Sequence, residues 1–208
     1  MPIQLVTPPA AEPVSLAEAR AHLRMEVSDD DALISSLITA ARMAAEGLME
    51  RSLITTRWKL VIDSFPGPSL LGVPYGRTFS LPDHAILLPR NPVSAVVGIT
   101  YLDMAGTIQT VPTTDYVADL ASEPARITPV FGRIWPINMP QIGSVQVTFD
   151  AGYGATADSV PDEIKAWMKL RVGSLYEHRE EVALMNRGSI QALPFVDSLL
   201  DPYKVVRV

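Results

Sequence analysis

DDDALISSLITAARMAAEGLMER, residues 29–51, is the stretch whose reading decides the fold class. Leu33, Leu37, Ala41, Ala44 and Leu48 recur at spacings of 4, 4, 3 and 4, and Ile34, Ile38, Ala45 and Met49 fill the neighbouring column. Ser35, Thr39, Arg42, Glu46 and Glu50 take the opposite face. That period belongs to an amphipathic helix and not to a strand. Ser28 or Asp29 is placed to cap it, and Asp29, Asp30 and Asp31 lie where a helix N-terminus favours negative charge. An acidic triplet also suits a metal, but no calcium-loop pattern follows. The helix runs out at Arg51-Ser52, and LITTRWKLVI after it turns to strand chemistry. One helix therefore closes a helical segment and feeds a β region.

Upstream, Ser15-Leu16-Ala17-Glu18 is a capping box that opens a short helix to about Met25, with Leu16, Ala19 and Leu23 as its apolar stripe. Residues 1–13 are proline-rich and apolar without a period. They read as an extended arm, free in isolation or docked on a partner.

Downstream, residues 53–153 are β in character. Short runs at 57–62, 85–88, 95–102, 107–111, 116–120, 126–130 and 144–149 are branched, aromatic or alternating, with Pro and Gly between them. Seven short strands without a long crossover helix predict an antiparallel sandwich or small barrel. Helix returns at Pro161, where Ile164, Trp167, Met168, Val172, Leu175 and Tyr176 form one face. Arg171 falls near the middle of that face. It reads either as a snorkelling or paired guanidinium or as a subunit or partner contact. The fold class expected is thus α+β, a helical core from residues 1–52 and 155–208 with an inserted antiparallel β domain at 53–154. Separate amphipathic faces at the two ends of the chain are most simply buried on each other.

Composition narrows the chemistry. Of 208 residues, 48% are hydrophobic and 19% charged, which describes a folded chain able to bury a core. There is no cysteine, so disulfides, thiolate zinc sites and cysteine nucleophiles are excluded. His22, His84 and His178 have no neighbour at ligand spacing, and no nucleophile elbow, phosphate-binding glycine loop or dinucleotide fingerprint occurs. Gly152-Tyr153-Gly154 ends a strand and lacks a following lysine. No metal, no cofactor and no catalytic residue is expected, and no apolar run of membrane-span length is read. The net charge of −6 argues against a broad grip on nucleic-acid phosphates.

A set of motifs then runs in order along nearly the whole chain. They are PVSLAEA (13–19), DDALI (30–34), LITTRW (53–58), LLPRNPV (87–93), YLD with Gly106, VTFDAGYG (147–154), VP with Ile164-Lys165, and LYEHRE (175–180). Together they resemble the long-form family of tailed-phage head–tail connector (adaptor) proteins, also encoded in gene transfer agents. The resemblance implies a structural virion protein without enzymatic activity. It implies a ring, expected to be twelvefold, under the portal protein, which extends the DNA channel and receives the next neck, stopper or tail component. DNA would pass through the lumen without sequence-specific binding, and no membrane is involved. The chain would be made in the bacterial host cytoplasm and end at the head–tail interface of a virion or virion-like particle. Alternatives are another neck or tail-completion protein, or a β-sandwich binding module; the dispersed Trp58, Trp135 and Trp167 do not favour the latter.

Within that resemblance, residues 193–208 are the expected portal-docking element. Phe195, Leu199, Leu200 and Tyr203 recur at near-helical spacing, and Lys204 and Arg207 add positive charge. The other expectation for this segment is that it folds back on its own helices.

Overall fold

The computed structural model describes residues 3–67, 84–178 and 194–205. In chain order the elements are β1 (Ile3–Thr7), α1 (Leu16–Leu23), α2 (Asp31–Met49), β2 (Thr56–Ile62), β3 (Ile86–Leu87), β4 (Val93–Leu102), β5 (Ile108–Thr110), β6 (Tyr116–Asp119), β7 (Arg126–Pro129), β8 (Val145–Ala151), α3 (Asp162–Glu177) and α4 (Pro194–Ser198). Among the described residues, 3–8 and 55–152 form a β unit, and 9–54 and 153–205 a helical unit. The fold is α+β with antiparallel sheets.

In the helical unit, the face of α2 that bears Ile34, Ile38, Ala41, Ala45 and Met49 shares one core with Ala19 of α1 and with Ile164, Trp167, Met168 and Val172 of α3. By length and composition α2 could cross a membrane, contrary to the expectation that no run reaches that length; here its apolar side is this core. The capping box of α1 forms as expected, with Glu18 N–H donating to Ser15 Oγ at 3.2 Å and Ser15 N–H to Glu18 Oε2 at 2.8 Å. The Ser15 hydroxyl also donates to Glu18 Oε2 at 2.7 Å, and this bond, with that from the Ser15 N–H, holds the Glu18 carboxyl below the usual range. The cap of α2 differs from expectation. It is Asp30, whose carboxylate makes no capping bond and instead accepts the Tyr176 hydroxyl of α3. A tie between two helices has displaced a local cap.

The β unit contains two sheets, ordered β1-β2-β8-β4-β5 and β3-β7-β6. Strand β8 is central to the larger one, and its alternation is complete. Val145, Val147, Phe149 and Ala151 are buried, while Gln146, Thr148 and Asp150 take the other face. The buried set joins Leu60, Ile99, Ile86, Tyr116 and Ile127 from both sheets in one core, which is sandwich packing.

The N-terminal arm is a correction. Residues 3–7 pair with β2, Ile3 opposite Leu60 and Leu5 opposite Trp58, and so make an edge strand of the β unit instead of joining the helical residues of 1–52. The register shifts between Leu5 and Thr7, and four of the five residues are exposed. A bulged edge with one partner needs no alternation, so no strand period was present to read.

Gly154 marks the return to the helical unit, bridged in parallel to Ile54. A Cβ there would stand 2.3 Å from Ser159 Oγ and 2.7 Å from Ser159 Cβ. Gly47, in α2, has nothing within 4 Å of its would-be Cβ. Gly154→Ala is therefore expected to destabilise by about 1–3 kcal/mol through overpacking. Gly47→Ala should stabilise by about 0.5–1 kcal/mol through backbone entropy. Urea unfolding midpoints of the two variants move in opposite directions if this packing is right.

Candidate functional site

Among the described residues, no group of three or more His, Asp or Glu side chains could hold a metal ion. The charged groups that are buried serve the helical unit itself. Arg42 of α2 donates through Nε to Glu12 Oε2 at 2.8 Å and through Nη1 to Glu46 Oε2 at 3.0 Å. Glu46 Oε1 accepts the Leu53 N–H at 2.9 Å, and Thr39 Oγ1 donates to Glu12 Oε1 at 2.9 Å. Each charge is paired and each carboxylate doubly engaged, the condition under which buried ions are tolerated. The cluster ties the segment before α1 and the segment after α2 to the α2 helix.

The C-terminal segment folds back on its own helices. Leu200 is 0% exposed in the helical core, and Val196, Leu199 and Tyr203 pack against that core. The Trp167 indole N–H donates to Asp197 Oδ1 at 3.1 Å, and the Tyr203 hydroxyl to Glu163 Oε2 at 3.0 Å. Burial and the Glu163 carboxylate push the Tyr203 hydroxyl pKa up. The Val205 N–H donates to Met49 O at 3.2 Å, and Arg51 Nε donates to Tyr203 O. The expected want of partners within the subunit is thus overturned for Leu200 and Tyr203. The Met49 carbonyl, in the last turn of α2 where no intrahelical donor follows, and the Trp167 N–H find their partners in this segment. Lys204 is exposed and paired with Asp201 at 2.7 Å. The side chain of Phe195 and the whole of Arg207 lie outside the described residues.

Arg171 lies off the core that α3 buries. It is exposed, beside Leu170, which is itself partly exposed. At this level of α3 the packing has moved to Gly173, under His22 and Leu23 of α1, and to Tyr176, bonded to Asp30. The guanidinium is left outside that contact.

Among the described residues, the largest concentration of exposed apolar side chains lies in the β unit, on residues 130–144 between β7 and β8. Phe131 is 103% exposed, Ile134 88%, Ile137 78% and Ile142 88%. The loop is nevertheless firmly held. Trp135 turns inward, its indole N–H donating to His84 O at 2.7 Å and its ring stacked on Phe65 at 4.9 Å. Asn138 Nδ2 donates to Asp63 O at 3.1 Å, Gly143 N–H to Asp63 Oδ1 at 2.8 Å, and Met139 N–H to Leu102 O at 2.8 Å. Arg133, the one charged residue of the loop, pairs with Asp115 at 3.4 Å. Next to it, the β4–β5 turn exposes Met104 and Ile108. That turn is organised by Asp103, whose carboxylate accepts from Gln109 Nε2 and from the Ala105 and Thr107 N–H groups, each at 2.9 Å. Those bonds, led by Gln109, hold the Asp103 carboxyl below its usual range. The sequence reading names Trp135 and the YLD motif with Gly106, but not Phe131, Ile134, Ile137 or Ile142. The available signal was an apolar, Pro/Gly-punctuated stretch with no period.

By sequence, the family described as phage gp6-like head-tail connector protein matches residues 13–104. By structure, the chain matches one from the neck of an empty GTA particle computed with C6 symmetry, with a TM-score of 0.76 and 26% identity over 100% of this chain and 97% of that one. A chain from the neck of a native GTA particle computed with C12 symmetry gives a TM-score of 0.74 and 27% identity at the same coverage. One from the virion of a native gene transfer agent (GTA) particle gives 0.76 and 25%, again covering 100% and 97%. No curated protein matches the chain by sequence. In sequence, residues 13–104 are similar to phage gp6-like head-tail connector proteins, and in fold the whole chain is similar to chains of the neck and virion of gene transfer agent particles.

Because Leu200 completes the helical core, Leu200→Ala is expected to cost about 2–5 kcal/mol. Truncation before Pro194 should lower the melting temperature as well. Calorimetry showing an unchanged transition for the truncated chain would place the segment off the core.

Proposed function

We propose that the chain is a head–tail connector subunit, one of a ring of copies at the neck of a phage-like or gene transfer agent particle. It sits under the portal protein, extends the DNA channel and joins the head to the next neck or tail component. The observation that bears this reading is the match over the whole chain to neck subunits of particles computed with C6 and C12 symmetry. A twelvefold ring is the stoichiometry proposed. The proteins it resembles are structural, and the reading contains no catalytic step.

Electrostatics supports the same role. A chain of net charge −6 repels phosphates, so DNA slides along a lumen built of such subunits instead of adhering. Seats for the portal are proposed on the helical unit, with the exposed Arg171 and Lys204 as its cationic points. Phe195 and Arg207 belong to the same proposal. Leu199, Leu200 and Tyr203 enter it only through the fold of the segment that presents Lys204.

The direct test is a cryo-EM map of particles from cells that encode the chain, which should show it as a ring at the neck; a neck without it sinks the reading. In solution the same repulsion acts between copies. The purified chain is expected to scatter as a monomer or a weak oligomer at micromolar concentration and low salt, and to form its ring mainly on the portal, where a template raises the effective concentration. A tight ring of the pure protein would count against templated assembly.

A further inference from the structure

We infer that strand β1 is an exchange arm: in the ring it leaves its own β2 and pairs with β2 of the neighbouring copy of this chain. The inference rests on the connector reading and names the contact that joins one subunit to the next.

The arm is held by little besides β2. Residues 3–8 belong to the β unit, whereas the residues that follow, from 9 on, belong to the helical unit. Among the described residues β1 has one neighbouring strand, with Ile3 opposite Leu60, Gln4 opposite Lys59, Leu5 opposite Trp58 and Thr7 opposite Arg57. Between the units, Pro8, Pro9, Ala10 and Ala11 make no hydrogen bond among the described residues, and all but Pro9 are exposed. Fixed structure resumes at Glu12, whose carboxylate accepts from Thr39 Oγ1 and Arg42 Nε, and at the buried Pro13 and Val14. Adjacent prolines favour an extended connector, and the stretch from Thr7 to Glu12 reaches about 17 Å. The arm can therefore change partner by a swing about residues 8–11 while the rest of both units stays in place.

The pairing itself selects the partner. A contact repeated from copy to copy around a ring must join two unlike, complementary surfaces. Strand β1 and the edge of β2 are already such a pair, with a fitted register and with Ile3 packed against the core of the β unit. Exchange hands these contacts to a neighbour without requiring a new interface, which makes it a low-cost route to assembly. A strand from a different protein would have to displace β1 and match the same register, whereas the arm of a second copy matches it by identity. The segment IQLVT also carries no charge, so it crosses between subunits of net charge −6 without adding to their repulsion. Exchange agrees as well with the monomer or weak oligomer expected in solution. In a lone copy the arm closes on its own β2 and covers an edge that would otherwise template pairing with another chain. Copies seated side by side on the portal offer neighbouring β2 edges at high effective concentration, and the arms pass across.

The chain has no cysteine, so a disulfide can be placed to report on the pairing. Gln4 and Lys59 stand directly opposite, at a separation a disulfide bridges, and neither is buried. Two single variants, Gln4→Cys and Lys59→Cys, are produced together in particle-producing cells that lack the wild-type chain. The particles are then oxidised and run on denaturing gels without reductant. A bond between the two new thiols can join only different copies. Both variants are expected to melt like the wild type and to enter particles at its occupancy. Covalent dimers of the two variants should form in particles at no less than ten times their yield from the mixed purified chains, and neither variant alone should give them. The double variant Gln4→Cys/Lys59→Cys reads the alternative, since an arm that stays at home closes the bond within one chain. Closure within single chains only, with the paired single variants unjoined, overturns the inference. So does the absence of both bonds in particles, which would put the arm on another component. Thr7→Cys with Arg57→Cys, a second opposed pair, gives the same reading where the first pair disturbs incorporation. If the wild-type chain is itself absent from particles, the connector reading fails and takes this inference with it. If the wild type is present and the variants stay unjoined, the inference alone falls.

Discussion

The pairing of β2 with β8 is the contact on which both units depend. Its register, Thr56 opposite Ala151 through Ile62 opposite Val145, brings together the points at 54–55 and 152–153 where the chain crosses between units. Ile54 and Gly154 then form their bridge, and the Tyr153 N–H donates to Leu53 O at 3.1 Å. With that closure, α2 and α3 come from opposite sides of a long insertion and still bury one core. Closing a loop costs only logarithmically more as it lengthens, so a large insertion is tolerated once its ends are held. The register is itself well determined. A slip of one residue would exchange Val145, Val147 and Phe149 for Gln146, Thr148 and Asp150 on the buried face.

How far this was legible in the sequence depends on whether an element is specified by its own residues or by a distant partner. The seven strands of the insertion and the helices at 16–23, 31–49 and 162–177 follow from local periodicity, and the observed elements lie within a few residues of that reading. Strand β1 did not, because one bulged edge with a single neighbour imposes no alternation. The cap of α2 did not, because the Asp30 carboxylate is taken by Tyr176 from the far end of the chain. Arg171 sits in the middle of an apolar stripe on a helical wheel, yet it is exposed while Val172 beside it is fully buried and the contact continues at Gly173 and Tyr176. A wheel records periodicity along one helix and not where its neighbours stop.

The C-terminal segment and the loop at 130–144 show the same limit in opposite directions. Phe195, Leu199, Leu200 and Tyr203 looked like apolar residues in search of an outside surface, but Leu200 fills the chain's own core. Phe131, Ile134, Ile137 and Ile142 drew no notice as loop residues, yet they face outward. Composition does not separate the two cases. What does is the supply of unmet polar groups nearby. The Trp167 N–H and the Met49 carbonyl draw the C-terminal segment inward, while the Trp135 and Asn138 side chains satisfy the loop from beneath and leave its isoleucines outside.

Charge is distributed on the same principle. The buried charges of the helical unit, Arg42 with Glu12 and Glu46, are fully engaged within the chain and so offer nothing to a partner. The bidentate Arg57–Asp150 pair on the open face of the large sheet, at 2.7 and 2.9 Å, likewise closes on itself, and the carboxylate raises the guanidinium pKa further. An acidic subunit that must approach other proteins meets repulsion wherever its carboxylates face theirs, and a surface free of net charge is where that repulsion is least. The tip at residues 130–144 has that property because its single cation is neutralised at its own base by Asp115. The loop stands exposed on an acidic chain without an unpaired charge of its own, and its polar groups are met from beneath by Trp135 and Asn138.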